Sequence, residues 1–150
     1  MVATATTAAP AVPATAARTI NLARTLLPLL LTAVEKHPEG FSIDAQTEKL
    51  LQPSDFGPDE YVVALKPFGH KFDHSVGPYF LTLGWWDTVV SKIIHTPNGL
   101  ILGGWEDQDG NTYLDVSIRV IGRDAALLLG KLNDQKAIWH PAGNECIECV

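Results

Sequence analysis

Apolar and polar residues alternate without a break from Tyr113 to Val120. Leu114, Val116, Ile118 and Val120 fall on one side of an extended chain, and Tyr113, Asp115, Ser117 and Arg119 on the other. Ahead of this strand, Leu100-Ile101-Leu102 runs into Gly103-Gly104-Trp105 and then an acidic turn over residues 106–111, the pattern of a β-hairpin. After it, Asp124 is placed to cap a helix reaching about Asn133. Its apolar positions Ala125, Leu128, Leu129 and Leu132 follow helical spacing. Ala137-Ile138-Trp139 reads as a final strand, and residues 140–150 as an irregular tail. The C-terminal part is therefore a hairpin–helix–strand unit. Its single helical stripe should bury against the Leu114/Val116/Ile118/Val120 face.

Further forward the period changes. Over residues 18–36, Ile20, Ala23, Leu27, Leu30, Leu31 and Val34 recur at close to 3.6 residues, so an amphipathic helix is expected. Pro28 lies inside it and should kink the helix or stand in its first turn. Phe41-Ser42-Ile43-Asp44 suits a short strand, and residues 46–51 a helical turn. Residues 53–60 are loop, and Tyr61-Val62-Val63-Ala64-Leu65 is a β-branched, aromatic strand ended by Pro67. Residues 69–78 read as a surface loop and 79–83 as a strand or the entry to a helix. Over residues 86–95 the spacing of Val89, Val90, Ile93 and Ile94 favours a helix, against the strand preference of their branched side chains. The sum is an α+β fold: a small mixed sheet with an N-terminal helix and the C-terminal β-hairpin–helix–strand unit. There is no internal repeat.

Residues 1–17 are an uncharged tract of Ala, Thr, Pro and Val with little to bury, expected as a disordered tail before one globular domain over 18–150. The first Arg is Arg18, so the positive start of a signal peptide is missing. The apolar run 26–34, broken by Pro28, falls far short of the ~20 residues a membrane span needs. Neither secretion nor membrane insertion is expected.

The 150-residue length supports one core without staples. Seventeen acidic residues against eleven basic ones leave a net charge of −6, which argues against a nucleic-acid surface. Only Cys146 and Cys149 are present, close together at the C-terminus. No disulfide framework spans the chain, and a reducing cytoplasm is the natural setting.

One resemblance covers about 60 residues, carried by Gly104-Trp105, the acidic glycine turn, Tyr113-Leu114-Asp115-Val116-Ser117, Ala126-Leu127-x-Leu129-Gly130 and Gln135-x-Ala137-Ile138-Trp139. Gly40-Phe41-Ser42-Ile43-Asp44 and the Tyr61 strand look like its lead-in. The pattern resembles a recurrent module of small uncharacterised accessory proteins of actinobacteria, their phages and their plasmids. Such proteins tend to carry Asp where this chain has His140, and the cysteine tail departs from the pattern. The resemblance implies an accessory protein of a mobile element and carries no activity with it.

Three sets of residues offer chemistry. Cys146 and Cys149, as C-x-x-C, would supply two thiolates for a zinc ion, with His140 as third ligand and His70 or His74 as fourth; a true finger would show a second such pair. Gly69-His70-Lys71-Phe72-Asp73-His74 spaces two histidines as helical metal ligands would be, yet its flanking glycines and proline favour a loop. Together with His95, that stretch is the best set for a metal-assisted hydrolase. Trp85, Trp86 and Trp105 supply indole surface beyond ordinary core needs. On a strand, Trp85 and Trp86 would face opposite sides, one inward and one free for a partner. Gly103-Gly104 lacks the features of a phosphate loop, and no serine lies in a nucleophile elbow. The expected function is a non-enzymatic interaction protein that uses no cofactor and binds another protein, a host protein among the candidates, in the host cytoplasm. The metal-assisted hydrolase and a zinc-stabilised binding module stand as alternatives.

Overall fold

A computed structural model of the chain describes residues 14–73, 78–95 and 99–149. Most of the expected tail, residues 1–13, lies outside the described residues. The first helix, α1 (Ala14–Lys36), begins four residues before the expected start at 18 and runs through Pro28 as one helix. Pro28 and Arg24 both face solvent, where the carbonyl freed by the missing N–H can meet water. The core stripe of α1 is Leu22, Leu26, Leu30 and Ala33, while Ile20 and Ala23 are exposed. Of the expected positions, Leu30 is fully buried and Leu27 and Val34 are half-buried against the same core, so packing turns the helix slightly from the expected stripe.

The chain then forms β1 (Phe41–Asp44), β2 (Lys49–Leu50), β3 (Glu60–Ala64) and β4 (His70–Phe72). Next come α2 (Pro78–His95), β5 (Leu100–Glu106), β6 (Thr112–Ile121), α3 (Arg123–Leu132), β7 (Ala137–His140) and β8 (Glu145–Glu148). The strands make one eight-stranded sheet in the order β2-β1-β5-β6-β3-β7-β8, with β4 beside the first part of β6. Every pairing is antiparallel, so the fold is α+β as expected but the sheet is not mixed. The expected hairpin is present, with Leu102 opposite Val116 and Gly104 opposite Leu114. In its turn the Asp107 carboxylate accepts from the N–H groups of Asp109 and Asn111, the Asn111 side chain and the Tyr113 hydroxyl. Gly110 supplies the positive φ, +80°, that the turn requires.

All three helices cover one face of this sheet. Leu22, Leu26 and Leu30 of α1 and Trp85, Trp86, Val89 and Ile93 of α2 pack with Ile43, Leu100, Leu102, Leu114 and Val116. Ala126 of α3, with the half-buried Leu127 and Leu129, packs with Tyr61, Val63, Ile118, Val120 and Ile138. The apolar side of β6 is therefore shared: α1 and α2 cover Leu114 and Val116, and α3 covers Ile118 and Val120. The expectation that α3 would cover all four is corrected, since a helix of ten residues is too short to lie along the whole ten-residue strand.

The α3 stripe is also rotated from its expected phase. Leu128 and Leu132 are 59% and 70% exposed, and Ala126 and Gly130 are buried instead. The reason is close approach at Gly130, where an added Cβ would lie 2.6 Å from Cys149 Sγ and 2.8 Å from Ile138 Cγ2. The helix caps on Gly122, at φ +98° and without a side-chain cap, so Asp124 sits in the first turn instead of at the cap. No helix among the described residues is long and apolar enough to cross a membrane.

Candidate functional site

Among the described residues no α-helix packs on the opposite face of the sheet. Residues that alternate with the core set point there: Ser42 on β1, Ile101, Gly103 and Trp105 on β5, Tyr113, Asp115 and Ser117 on β6, and Val62 and Ala64 on β3. The connection between β2 and β3 folds over this surface. Phe56 packs there with Val62 and Ile101, and the half-buried Leu51 and Trp139 join them. Arg119 fastens this wall: it donates to Glu60 Oε2 at 2.7 Å and to the Asp55 carbonyl at 3.1 Å, and its guanidinium lies 4.3 Å from the Phe56 ring centre. The result is a groove of about 670 Å³, with Ser42, Gln52, Phe56, Asp115, Trp139 and Cys146 among its lining.

Asp115 sits on the floor. Its cross-strand neighbour is Gly103, where a Cβ would come within 3.0 Å of the Asp115 Oδ1. The missing side chain leaves the room in which the carboxylate lies. Ser117 Oγ donates to Oδ1 at 2.8 Å. Burial raises the carboxyl pKa above the ordinary aspartate value, and the Ser117 hydrogen bond works against that rise. No Lys, Arg or His lines the groove among the described residues. At its rim Trp105 is 46% exposed and stacks on Tyr113, ring centres 4.4 Å apart. The Lys71 ammonium lies 5.7 Å from the Tyr113 ring centre.

Of the three tryptophans marked for binding, Trp105 alone reaches this surface. Trp85 and Trp86 lie on α2, where adjacent residues can share the buried side, and both are in the core. The Trp85 indole N–H donates to the Phe68 carbonyl at 2.8 Å. The expectation that one of the pair is exposed is corrected, because it presumed a strand.

The proposed zinc ligands are not gathered. Residues 140–150 are not irregular throughout: β8 pairs with β7, placing Cys146 opposite Trp139 on the groove side. Cys149, three positions along an extended chain, packs on the other side against the α3 cluster. His140 is occupied as a strut. Its Nε2–H donates to the Pro58 carbonyl at 2.8 Å, its Nδ1 meets Glu145 Oε1 at 3.2 Å, and its ring stacks on Tyr61 at 4.7 Å. The Pro58 hydrogen bond first, then Glu145, raises the His140 pKa.

His70 lies exposed on edge strand β4, His95 ends α2, and Asp73 follows β4, while His74 falls outside the described residues. Among the described residues no three or more His, Cys, Asp or Glu side chains converge as metal ligands would. No protein-family model, curated protein or solved structure matches the chain.

Sequence reasoning passed over the groove, since Asp115 looked like one more residue on a solvated strand face. A signal was present. A glycine pair in the middle of an otherwise apolar strand marks close approach or cleared space, and Gly103 faces the one carboxylate between Leu114 and Val116.

Proposed function

We propose that this protein is a non-enzymatic accessory protein of a phage or other mobile element, and that it binds another protein in the groove on the open face of its sheet. The observation that carries this reading is the groove itself. It is an aromatic-walled space of about 670 Å³, within the range of ordinary binding sites, with an exposed Trp at its rim. The mobile-element setting is supported by the resemblance of the C-terminal hairpin–helix–strand unit. Two free cysteines suit a reducing host cytoplasm.

The test places a benzophenone photo-crosslinking residue at Gln52 in the groove wall, with controls at Glu35 on α1 and Leu128 on the outer side of α3. In host lysate, position 52 should capture one specific protein that the controls do not. Trp105→Ala should then weaken that capture by about 2 kcal/mol, the scale of an aromatic anchor. Capture from position 128 alone would move the interface to α3 and defeat the groove reading.

A further inference from the structure

Several carboxylates of this protein hold something together: Asp107 organises a turn, Asp44 accepts from the N–H groups of Gln46 and Thr47, Asp55 from that of Gln52, and Glu60 pairs with Arg119. Asp115 holds only the hydroxyl of Ser117, its neighbour on the same strand face. It joins no two elements, yet it is half-buried in the middle of the sheet, between two core residues and opposite a glycine whose missing side chain leaves room for the carboxylate. A carboxylate drawn partly out of water loses hydration that a paired charge would restore. The groove lining offers no positive side chain to pair with it, and Glu39 at the edge adds a second negative group. Glu39 ionises readily, held down by a backbone hydrogen bond and by His37. The site is therefore complementary to a cation that comes from outside.

We propose that the groove receives a guanidinium side chain, an Arg of the bound partner, set against the Asp115 carboxylate. Guanidinium fits better than a compact ammonium. It is planar, weakly hydrated and able to donate to a carboxylate in fork geometry while its face lies on an aromatic ring. Trp105, exposed at the rim, and Trp139 in the lining supply such surface, and the protein already uses this contact in Arg119 over Phe56. Asp115 gives up any proton it holds as the cation docks, because a positive charge in contact restores the preference for the ionised form. This inference rests on the groove being the binding surface.

The experiment uses the full chain and two small probes of nearly equal shape, benzylguanidinium and the neutral benzylurea. Binding is followed by Trp fluorescence and by the backbone amide shift of Gly103. Benzylguanidinium should bind about tenfold more tightly than benzylurea, the scale of a charge-assisted hydrogen bond. Asp115→Asn should bring that ratio close to one. A readout needing no variant guards against a misfolded mutant: saturating benzylguanidinium should slow alkylation of Cys146, which lines the groove, and leave Cys149 unaffected. Equal affinity for the two probes, no binding by either, or an undiminished preference in Asp115→Asn would each overturn the proposal. If the preference fails while the crosslinker at position 52 still captures a partner, the cation alone is wrong. If both fail, the groove reading falls with it.

Discussion

Asp107 and Asp115 stand on the same hairpin and use their carboxylates in opposite senses. The Asn111 side chain holds the Asp107 pKa below the usual value, helped by backbone N–H donors and by Tyr113. Burial pushes that of Asp115 up. A carboxyl with a raised folded-state pKa binds its proton more tightly in the fold than in the unfolded chain, where the value is near 3.9. Its contribution is therefore favourable below that unfolded value and is lost as pH rises through the folded one. Asp115→Asn removes this loss. Measured by denaturant titration, the stability of the variant relative to the parent should increase from about pH 4 to about pH 7. A difference that stays constant across that range would show that Asp115 titrates normally. The strand itself was legible: the alternation from Tyr113 to Val120 assigned each of those side chains to its correct face. Alternation says that two faces differ, but not what lies over each, and so the polar face passed for plain solvent.

At the level of elements, α1 and α3 share one lesson. Both were legible as helices, and in both the buried stripe sits about one position away from the expected one. Leucine-rich runs such as Leu127-Leu128-Leu129 satisfy several stripes at once, so the choice falls to the residue that permits closest approach, Gly130 in α3. The consequence is testable by exchanging neighbours. Leu128→Ala should change stability by no more than about 0.5 kcal/mol, as an exposed substitution does. Leu129→Ala should cost about 1–2 kcal/mol, because its side chain is half-buried against Tyr61 and Ile138. Gly130→Ala should cost about 1–3 kcal/mol, because the new methyl group meets Ile138 and Cys149 inside van der Waals distance. A cost for Leu128→Ala as large as that for Leu129→Ala in chemical denaturation would restore the original stripe. The shortest strands, β2 and β4, left no sequence signal, since two or three residues are too few to show a period. The cysteine tail looked irregular for the same reason, although β8 pairs there with β7.

For the whole molecule, the decisive fact is that the three α-helices among the described residues crowd one face of an eight-stranded sheet, while the connection between β2 and β3 folds over part of the other. The helices and the longer strands could be read from hydrophobic period. The open groove could not, because it exists only where distant segments meet. Ser42, Gly103 and Asp115 become a row only through the pairing of β1 with β5 and β5 with β6, and Phe56 joins them only after Arg119 fastens its loop. The same scale bears on the zinc alternative. The spacing of Cys146 and Cys149 is compact in sequence, but a strand carries the two thiols to opposite sides of the sheet.

The turn at Asp107 also bears on how the chain finds this arrangement. Strands β5 and β6 are joined by a few residues, whereas β1 must reach β5 across three strands and α2, and β3 must reach β6 across β4, α2 and β5. Closing the short loop costs far less chain entropy than closing the long ones. The hairpin, held by the side-chain and backbone bonds of Asp107, is then the natural folding nucleus, onto which β3 and β1 condense later. In stopped-flow experiments Asp107→Ala should slow refolding with little effect on the unfolding rate. Ile43→Val in β1 should chiefly accelerate unfolding. The opposite pattern would place the rate-limiting event at the long-range pairing of β1 and leave the hairpin to form after it.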